Sequence, residues 1–144
     1  MTPSANLVHF GPGSALPIWV EGLEREAFGE AWGTLEDNEQ MWTLEGLAYA
    51  RWSLVSVVGE AELLRIAVRP EARSRGLGRR LLCAATEALQ NLGITELHLE
   101  VRMSNGAARH LYEAEGWLMA GLRRGYYRDG EDAVLYGKSL PPRV

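Results

Sequence analysis

Apolar and polar positions follow two different rhythms along the chain. In "TELHLEVR" (95–102) the period is two. Leu97, Leu99 and Val101 fall on one side, and Glu96, His98, Glu100 and Arg102 on the other, which predicts a half-buried strand. "MWTLEG" (41–46), "LAYARWSLVSVV" (47–58) and "ELLRIAV" (62–68) are rich in β-branched and aromatic residues and predict three successive strands. Only short turns, cornered by Gly46 and Gly59, separate them, so they are expected to be antiparallel neighbours. "PSANLVHF" (3–10) alternates weakly and predicts a first strand. "WLMAGLRRGYY" (117–127) and "DAVLYGKSL" (132–140) predict a closing hairpin around "RDGED".

Helical spacing fills the gaps. "LPIWVEGLEREAF" (16–28) has Pro17 near a first-turn position and Leu16, Val20, Leu23 and Ala27 on one stripe. "GTLEDNEQM" (33–41) offers Thr34 followed three residues later by Asp37, a cap pattern for a short second helix. A helix is expected from Gly76 to Leu92 with Gly93 as its stop, its stripe formed by Leu81, Ala85, Ala88 and Leu92. "SNGAARHLYEAEG" (104–116) predicts another, capped by Ser104 or Asn105 and stopped by Gly116. The order is βααβββαβαββ. No repeat, low-complexity tract or linker divides residues 1–144, so the expectation is a single mixed α/β domain.

Composition narrows the function classes. The residues are 47% apolar and 24% charged, as in ordinary globular domains. No apolar run approaches 18 residues, and the N-terminus lacks the basic and apolar regions of a secretory signal, so a non-membrane, cytoplasmic protein is expected. The single cysteine, Cys83, rules out an internal disulfide and reads as a free thiol opposite the helix stripe. His9, His98 and His110 show no ligand spacing, and no metal site is expected. A net charge of −4 argues against direct nucleic-acid binding, which needs clustered positive charge.

Positive charge is nevertheless clustered in one place. "RPEARSRGLGRRLL" (69–82) puts five arginines and two glycines between a strand and a helix. The first N–H groups of a helix have no partner within it and lie at the positive end of its dipole, so they attract anions. Gly76 and Gly78 would let backbone approach a diphosphate, with Arg73, Arg75, Arg79 and Arg80 supplying charge. A tight turn with solvated arginines is the other reading of the same residues. A P-loop is excluded because Gly-Lys-Ser/Thr is absent. A dinucleotide fingerprint would need a third glycine where Leu81 stands and a strand ending directly before the turn.

"IAVRPEARSRGLGRRLL" resembles the acyl-CoA motif of the GNAT N-acetyltransferases, with Arg73, Gly76 and Gly78 in its Gln/Arg-x-x-Gly-x-Gly/Ala pattern. The element order is also similar to the GNAT order, which implies a mixed, mostly antiparallel sheet with helices on both faces. "LHLEVRMSNGAARHLYEAEGW" and "RRGYYRDGEDAVLYGKSL" resemble, within that family, the ribosomal-protein-alanine N-acetyltransferases and their relatives that acetylate protein N-termini. "EREAFGEAWGTLE" is similar to the family's Glu-x-x-x-Phe…Trp segment, with Ala31 in place of its proline.

The resemblance implies acetyl-CoA as cosubstrate and assigns roles. Glu100 of Leu-Glu-Val-Arg would be the base and Tyr112 of Leu-Tyr-Glu the acid. Backbone at Ile66, Ala67 and Val68 would meet pantetheine, the turn Arg73, Ser74, Arg75, Gly76, Leu77, Gly78 and Arg79 would hold pyrophosphate, and Asn105 would contact the CoA arm. Tyr126 and Tyr127 would hold the acceptor peptide, and Glu131 and Asp132 would suit basic residues in it. A solvated strand carboxylate and a core-bordering tyrosine are the alternative roles of Glu100 and Tyr112, with His98 a substitute base. The implied acceptor is a protein N-terminus, such as the N-terminal alanine of a small-subunit ribosomal protein. A small-molecule amine or a non-catalytic acyl-CoA-binding module are the alternatives. Protonation favours an α-amine over a lysine as acceptor: at pH 7 roughly a tenth of α-amines are neutral, against a few per ten thousand lysines.

Overall fold

The structure, a computed structural model, describes residues 6–143, so the start of the expected first strand lies outside the described residues. The elements are β1 (Leu7–Phe10), α1 (Ile18–Phe28), β2 (Glu39–Leu44), β3 (Ala48–Val55), β4 (Glu60–Val68), α2 (Leu77–Asn91), β5 (Glu96–Arg102), α3 (Gly106–Ala114), β6 (Leu118–Arg123) and β7 (Ala133–Ser139). One seven-stranded sheet has the order β1-β2-β3-β4-β5-β7-β6. Every neighbouring pair is antiparallel except β4–β5. Of the expected 47–58 strand, the last three residues, Ser56–Val58, form a 3-10 turn that ends at Gly59 with φ 68°.

Helices cover both faces of the sheet. On one, α2 buries Leu81, Leu82, Ala85 and Leu89 beside Tyr112 of α3 and the inward side chains Leu97, Leu99 and Val101 of β5. Of the expected α2 stripe, Leu81 and Ala85 are buried and Ala88 packs against the core, while Leu92 lies past the last helical residue and is exposed; Leu82 and Leu89 complete the buried face. On the other face, Val20 and Leu23 of α1 pack against Met41, Tyr49 and Ala67. Ala27, expected on the α1 stripe, is exposed, and the third buried position of that helix, after Val20 and Leu23, is Glu24.

β4 carries the feature that shapes the site. Its parallel pairing with β5 covers only Glu60–Leu63 against Glu96–Leu99. Opposite β3, Arg51 pairs with Arg65 and Trp52 with Leu63, so Leu64 is an extra residue, a β-bulge. One extra residue inverts the alternation of the strand. Before it, Ala61 and Leu63 face the α2/α3 core. After it, Ile66 and Val68 do so, while Ala67 joins the α1 cluster. Beyond the bulge β4 follows β3 and leaves β5, and a gap opens between residues 64–68 and 100–102. Arg69 N–H donates to the Leu47 carbonyl (2.8 Å), so the alternating ladder aims the Ile66 and Val68 amides away from β3, into that gap.

The expected second helix at 33–41 does not form. The reason is long-range. Arg51, 2% exposed, donates from Nη1 to the Gly33 carbonyl (3.1 Å) and from Nη2 to the Thr34 carbonyl (3.2 Å), oxygens a helix would have used. Glu39 accepts from Glu36 N–H (2.9 Å) and from Arg51 Nη2 (2.7 Å), which closes the loop onto β2. Glu24, wholly buried, accepts from Trp32 N–H (2.7 Å) and the Tyr49 hydroxyl (3.1 Å), with Arg65 Nη1 at 3.5 Å and Arg51 Nη1 at 3.9 Å. Burial beside Glu24 pushes the Tyr49 phenol far above its ordinary range, so it is a donor at every working pH.

Removing one member of a buried charge network leaves the others uncompensated, at a cost of about 3–5 kcal/mol. Arg51→Met is expected to lower unfolding stability by that amount in urea denaturation. A loss below about 1 kcal/mol would mean that the loop is held by something else.

Candidate active site

A groove of about 590 Å3 runs along the splayed half of β4 to the start of α2. Of the residues expected to hold acetyl-CoA, Ile66, Ala67, Val68, Arg73, Ser74, Gly76, Leu77, Gly78 and Arg79 line it. Arg75 does not, and Asn105 lines the adjoining cavity. Ser74 (φ 65°) and Gly76 (φ 75°) both lie in the left-handed region, which curls the backbone into a concave turn before α2. The first α2 amide that donates to the turn itself is Arg80 N–H, to the Gly76 carbonyl at 3.0 Å, so the preceding ones point outward at the helix end. A Cβ on Gly78 would sit 3.5 Å from Leu111 and 3.8 Å from Val68, within the groove. Ala27, Ala107 and Leu111 supply an apolar wall that the motif did not reveal.

The arginines are not equivalent. Arg73 Nε donates to the Val68 carbonyl (3.2 Å), tying the turn to β4. Arg79 Nε pairs with Glu115 Oε1 at 2.5 Å, so its side chain is drawn toward the end of α3 rather than the turn.

A second cavity, about 450 Å3, lies beyond the gap and is lined by Phe28, Trp32, Glu62, Arg65, Glu100, Asn105, Tyr112, Tyr126 and Tyr127 among others. Four residues line both spaces: Phe28, Ile66, Ala108 and Tyr112. Of these only Tyr112 carries an exchangeable side-chain proton. It is 4% exposed, packed against the Trp117 and Tyr136 rings at 5.9 and 6.1 Å. Burial pushes its phenol well above the ordinary value. Tyr112 thus borders the core, as one alternative had it, and also faces the junction.

Glu100 projects from β5 on the α1 face, its carboxylate 3.1 Å from Arg123 Nε. Hydrogen bonding to Glu100 raises the Tyr126 phenol, and burial raises that of Tyr127. The two tyrosine rings meet edge to face at 5.1 Å, and Arg102 lies 4.0 Å over Tyr127. Glu62, which the sequence did not single out, lines this cavity too. Burial and the neighbouring Glu100 charge raise its carboxyl above the ordinary range. His98 sits on the same face but contacts Glu60 (3.4 Å) and does not line the cavity that holds Tyr112. Asn105 caps α3 by accepting from Ala108 N–H (3.2 Å), which leaves its amide NH2 as a donor.

Glu131 and Asp132, expected to suit basic residues of a peptide, both accept bonds within their own part of the fold. Glu131 accepts from Arg102 (2.9 Å) and Ser104 N–H (2.9 Å), and these bonds hold its carboxyl below the usual range. Asp132 accepts from Gly125 N–H (2.8 Å). Both carboxylates help to fold the β6–β7 loop that presents the tyrosines.

Residues 14–117 match the family model described as the acetyltransferase (GNAT) family. Over 82 residues the chain is 48% identical to the ribosomal protein bS18-alanine N-acetyltransferase of Escherichia coli (strain K12) and 46% identical to that of Salmonella typhimurium (strain LT2). Each alignment covers 55% of this chain and 55% of the relative, so the chain spans about half the length of the curated relatives it matches. The crystal structure of the ribosomal-protein-S18-alanine N-acetyltransferase from Escherichia coli is similar throughout: TM-score 0.76, 31% identity, covering 96% of this chain and 97% of that one. With the splayed β4, the glycine turn and this family match together, the chain belongs to the GNAT acetyltransferase family.

Proposed function

We propose that this protein transfers an acetyl group from acetyl-CoA to the N-terminal α-amine of a protein, with a ribosomal protein beginning in alanine as the substrate class. The observation that carries it is the junction at Tyr112, the one proton-bearing side chain shared by a donor groove and a separate, aromatic-lined acceptor cavity. The names of the two relatives support the ribosomal substrate. An acyl-CoA-binding module would need the groove alone. A small amine would leave the Tyr126–Tyr127 loop without a role.

The groove fits the cosubstrate by its chemistry. Outward amides at a helix start suit a pyrophosphate, the glycines leave it room, and the alanine-rich wall suits the pantetheine chain. The thioester supplies an activated acyl group. Ile66 or Val68 N–H would donate to the acetyl oxygen as negative charge develops there. Glu100 would take the proton that the neutral amine loses as its nitrogen bonds to the acyl carbon, directly or through water. As the carbon–sulfur bond breaks, the Tyr112 hydroxyl would give its proton to the departing thiolate and recover one from solvent.

Three measurements test these roles. Tyr112→Phe is expected to lower kcat by about 10²–10⁴ with acetyl-CoA affinity unchanged by calorimetry. A near wild-type kcat would reduce Tyr112 to packing.

Gly78→Val is expected to weaken acetyl-CoA binding by about tenfold or more without lowering Tm. Its position is helical and a Cβ meets only ordinary contacts, whereas any side chain at Gly76 would strain a φ of 75° and confuse binding with folding. Unchanged affinity in Gly78→Val would move the cosubstrate elsewhere.

The pH profile follows from the Tyr112 shift. A phenol whose pKa is raised keeps its proton as pH rises, so the donor stays loaded. The acceptor amine, of pKa about 8, loses its proton over the same range. Hence kcat/KM for a peptide should climb through about pH 8 and hold level to about pH 10. A fall between pH 8 and 9.5 would contradict the assignment.

A further inference from the structure

Arg65 is the first residue past the extra position in β4. In an unbulged strand it would share the side of Ala61 and Leu63 and point into the α2/α3 core. The bulge turns it onto the α1 face instead, where its side chain is 9% exposed. Its guanidinium carbon lies 3.4 Å from the centre of the Trp32 ring and 4.4 Å from that of Phe28. Its nitrogens reach Glu24 Oε2 (3.5 Å), the Glu30 carbonyl (3.2 Å) and the Glu30 carboxylate (3.6 Å). Every one of these partners belongs to the last turns of α1 or the loop after it.

Phe28 and Trp32 are also walls of the acceptor cavity, facing the same space as Glu100 and Tyr112. Trp32 is 42% exposed and Phe28 41%, so burial alone does not fix their rings. The other restraints on Trp32 are its backbone bond to Glu24 and the more distant Arg51, 5.3 Å from the ring. A planar cation stacked on both rings and forked to two carboxylates is a geometry that lysine does not reproduce.

We propose that Arg65 is a positioning residue that sets acceptor selectivity: it holds Trp32 and Phe28 as a wall close to the amine site and so restricts the first residue of the acceptor chain to a small side chain. This rests on the N-terminal acceptor reading above. A purely structural Arg65 would serve only to neutralise Glu24, which already receives bonds from Trp32 N–H and the Tyr49 hydroxyl. Charge alone would satisfy that role, and Arg65→Lys would then behave as wild type.

The test compares wild type, Arg65→Lys and Trp32→Ala on peptides identical except for alanine or leucine at the first position. Acetyl-CoA affinity is measured in parallel by calorimetry. Wild type is expected to prefer alanine. Both variants should narrow the alanine-to-leucine ratio of kcat/KM by about tenfold, chiefly through a lower KM for the leucine peptide, with acetyl-CoA affinity unchanged. Trp32→Ala removes no charge and reads the same wall should Arg65→Lys fail to fold. An unchanged ratio in a folded Arg65→Lys, or in Trp32→Ala, overturns the proposal. If wild type acetylates neither peptide, the N-terminal acceptor reading itself fails, a result distinct from an unchanged ratio.

Discussion

Parallel pairing between β4 and β5 lasts for four residue pairs, and the strand that leaves is the one with a residue too many. Both halves of the candidate site follow from that mismatch. Past Leu64, β4 keeps its ladder with β3 and exposes its other set of amides, because the partner that would have taken them has diverged. An unpaired row of backbone donors and acceptors inside a protein is costly unless a ligand or water meets it. The gap is therefore a candidate docking edge for an extended, amide-bearing chain.

The inversion of phase has an electrostatic counterpart. Turning Arg65 onto the α1 face places a second cation beside Glu24, where Arg51 already stands. A fully buried carboxylate is tolerable only with such company. The result is a loop with no regular structure between α1 and β2 that is nonetheless pinned at Gly33, Thr34 and Glu36 by bonds to side chains. The wall that this loop gives the second cavity rests on this polar anchoring together with Leu35, which the same loop buries in the α1 cluster.

Much of this was legible in the chain, and the misreadings share a cause. The β5 alternation, the Gly76 turn and the Asn105 cap depend on neighbours within a few residues, so local pattern suffices for them. Thr34 and Asp37 imitate a helix cap equally well, but Arg51, 17 residues further on, claims the carbonyls. The bulge leaves no mark, since Leu63 and Leu64 read as two more apolar positions in an ordinary run. Without it the side of Arg65, and hence its stacking on Trp32, cannot be deduced. The bonds from Glu131 and Asp132 to Ser104 and Gly125 N–H are likewise invisible in the sequence, where both read only as acidic loop residues. Glu62 was passed over because a carboxylate on the outer side of a strand has nothing local to distinguish it.

The sheet separates two apolar clusters that share no buried residue: one under α2 and α3, the other under α1. The proposed donor groove draws its turn and most of its apolar wall from the first side, and the proposed acceptor wall is built on the second. Inheritance can therefore act on them unequally. On that proposal, substitutions in α1 and its following loop would alter which chains are accepted and leave the donor end unchanged. A lineage built on this plan would diversify by client rather than by chemistry.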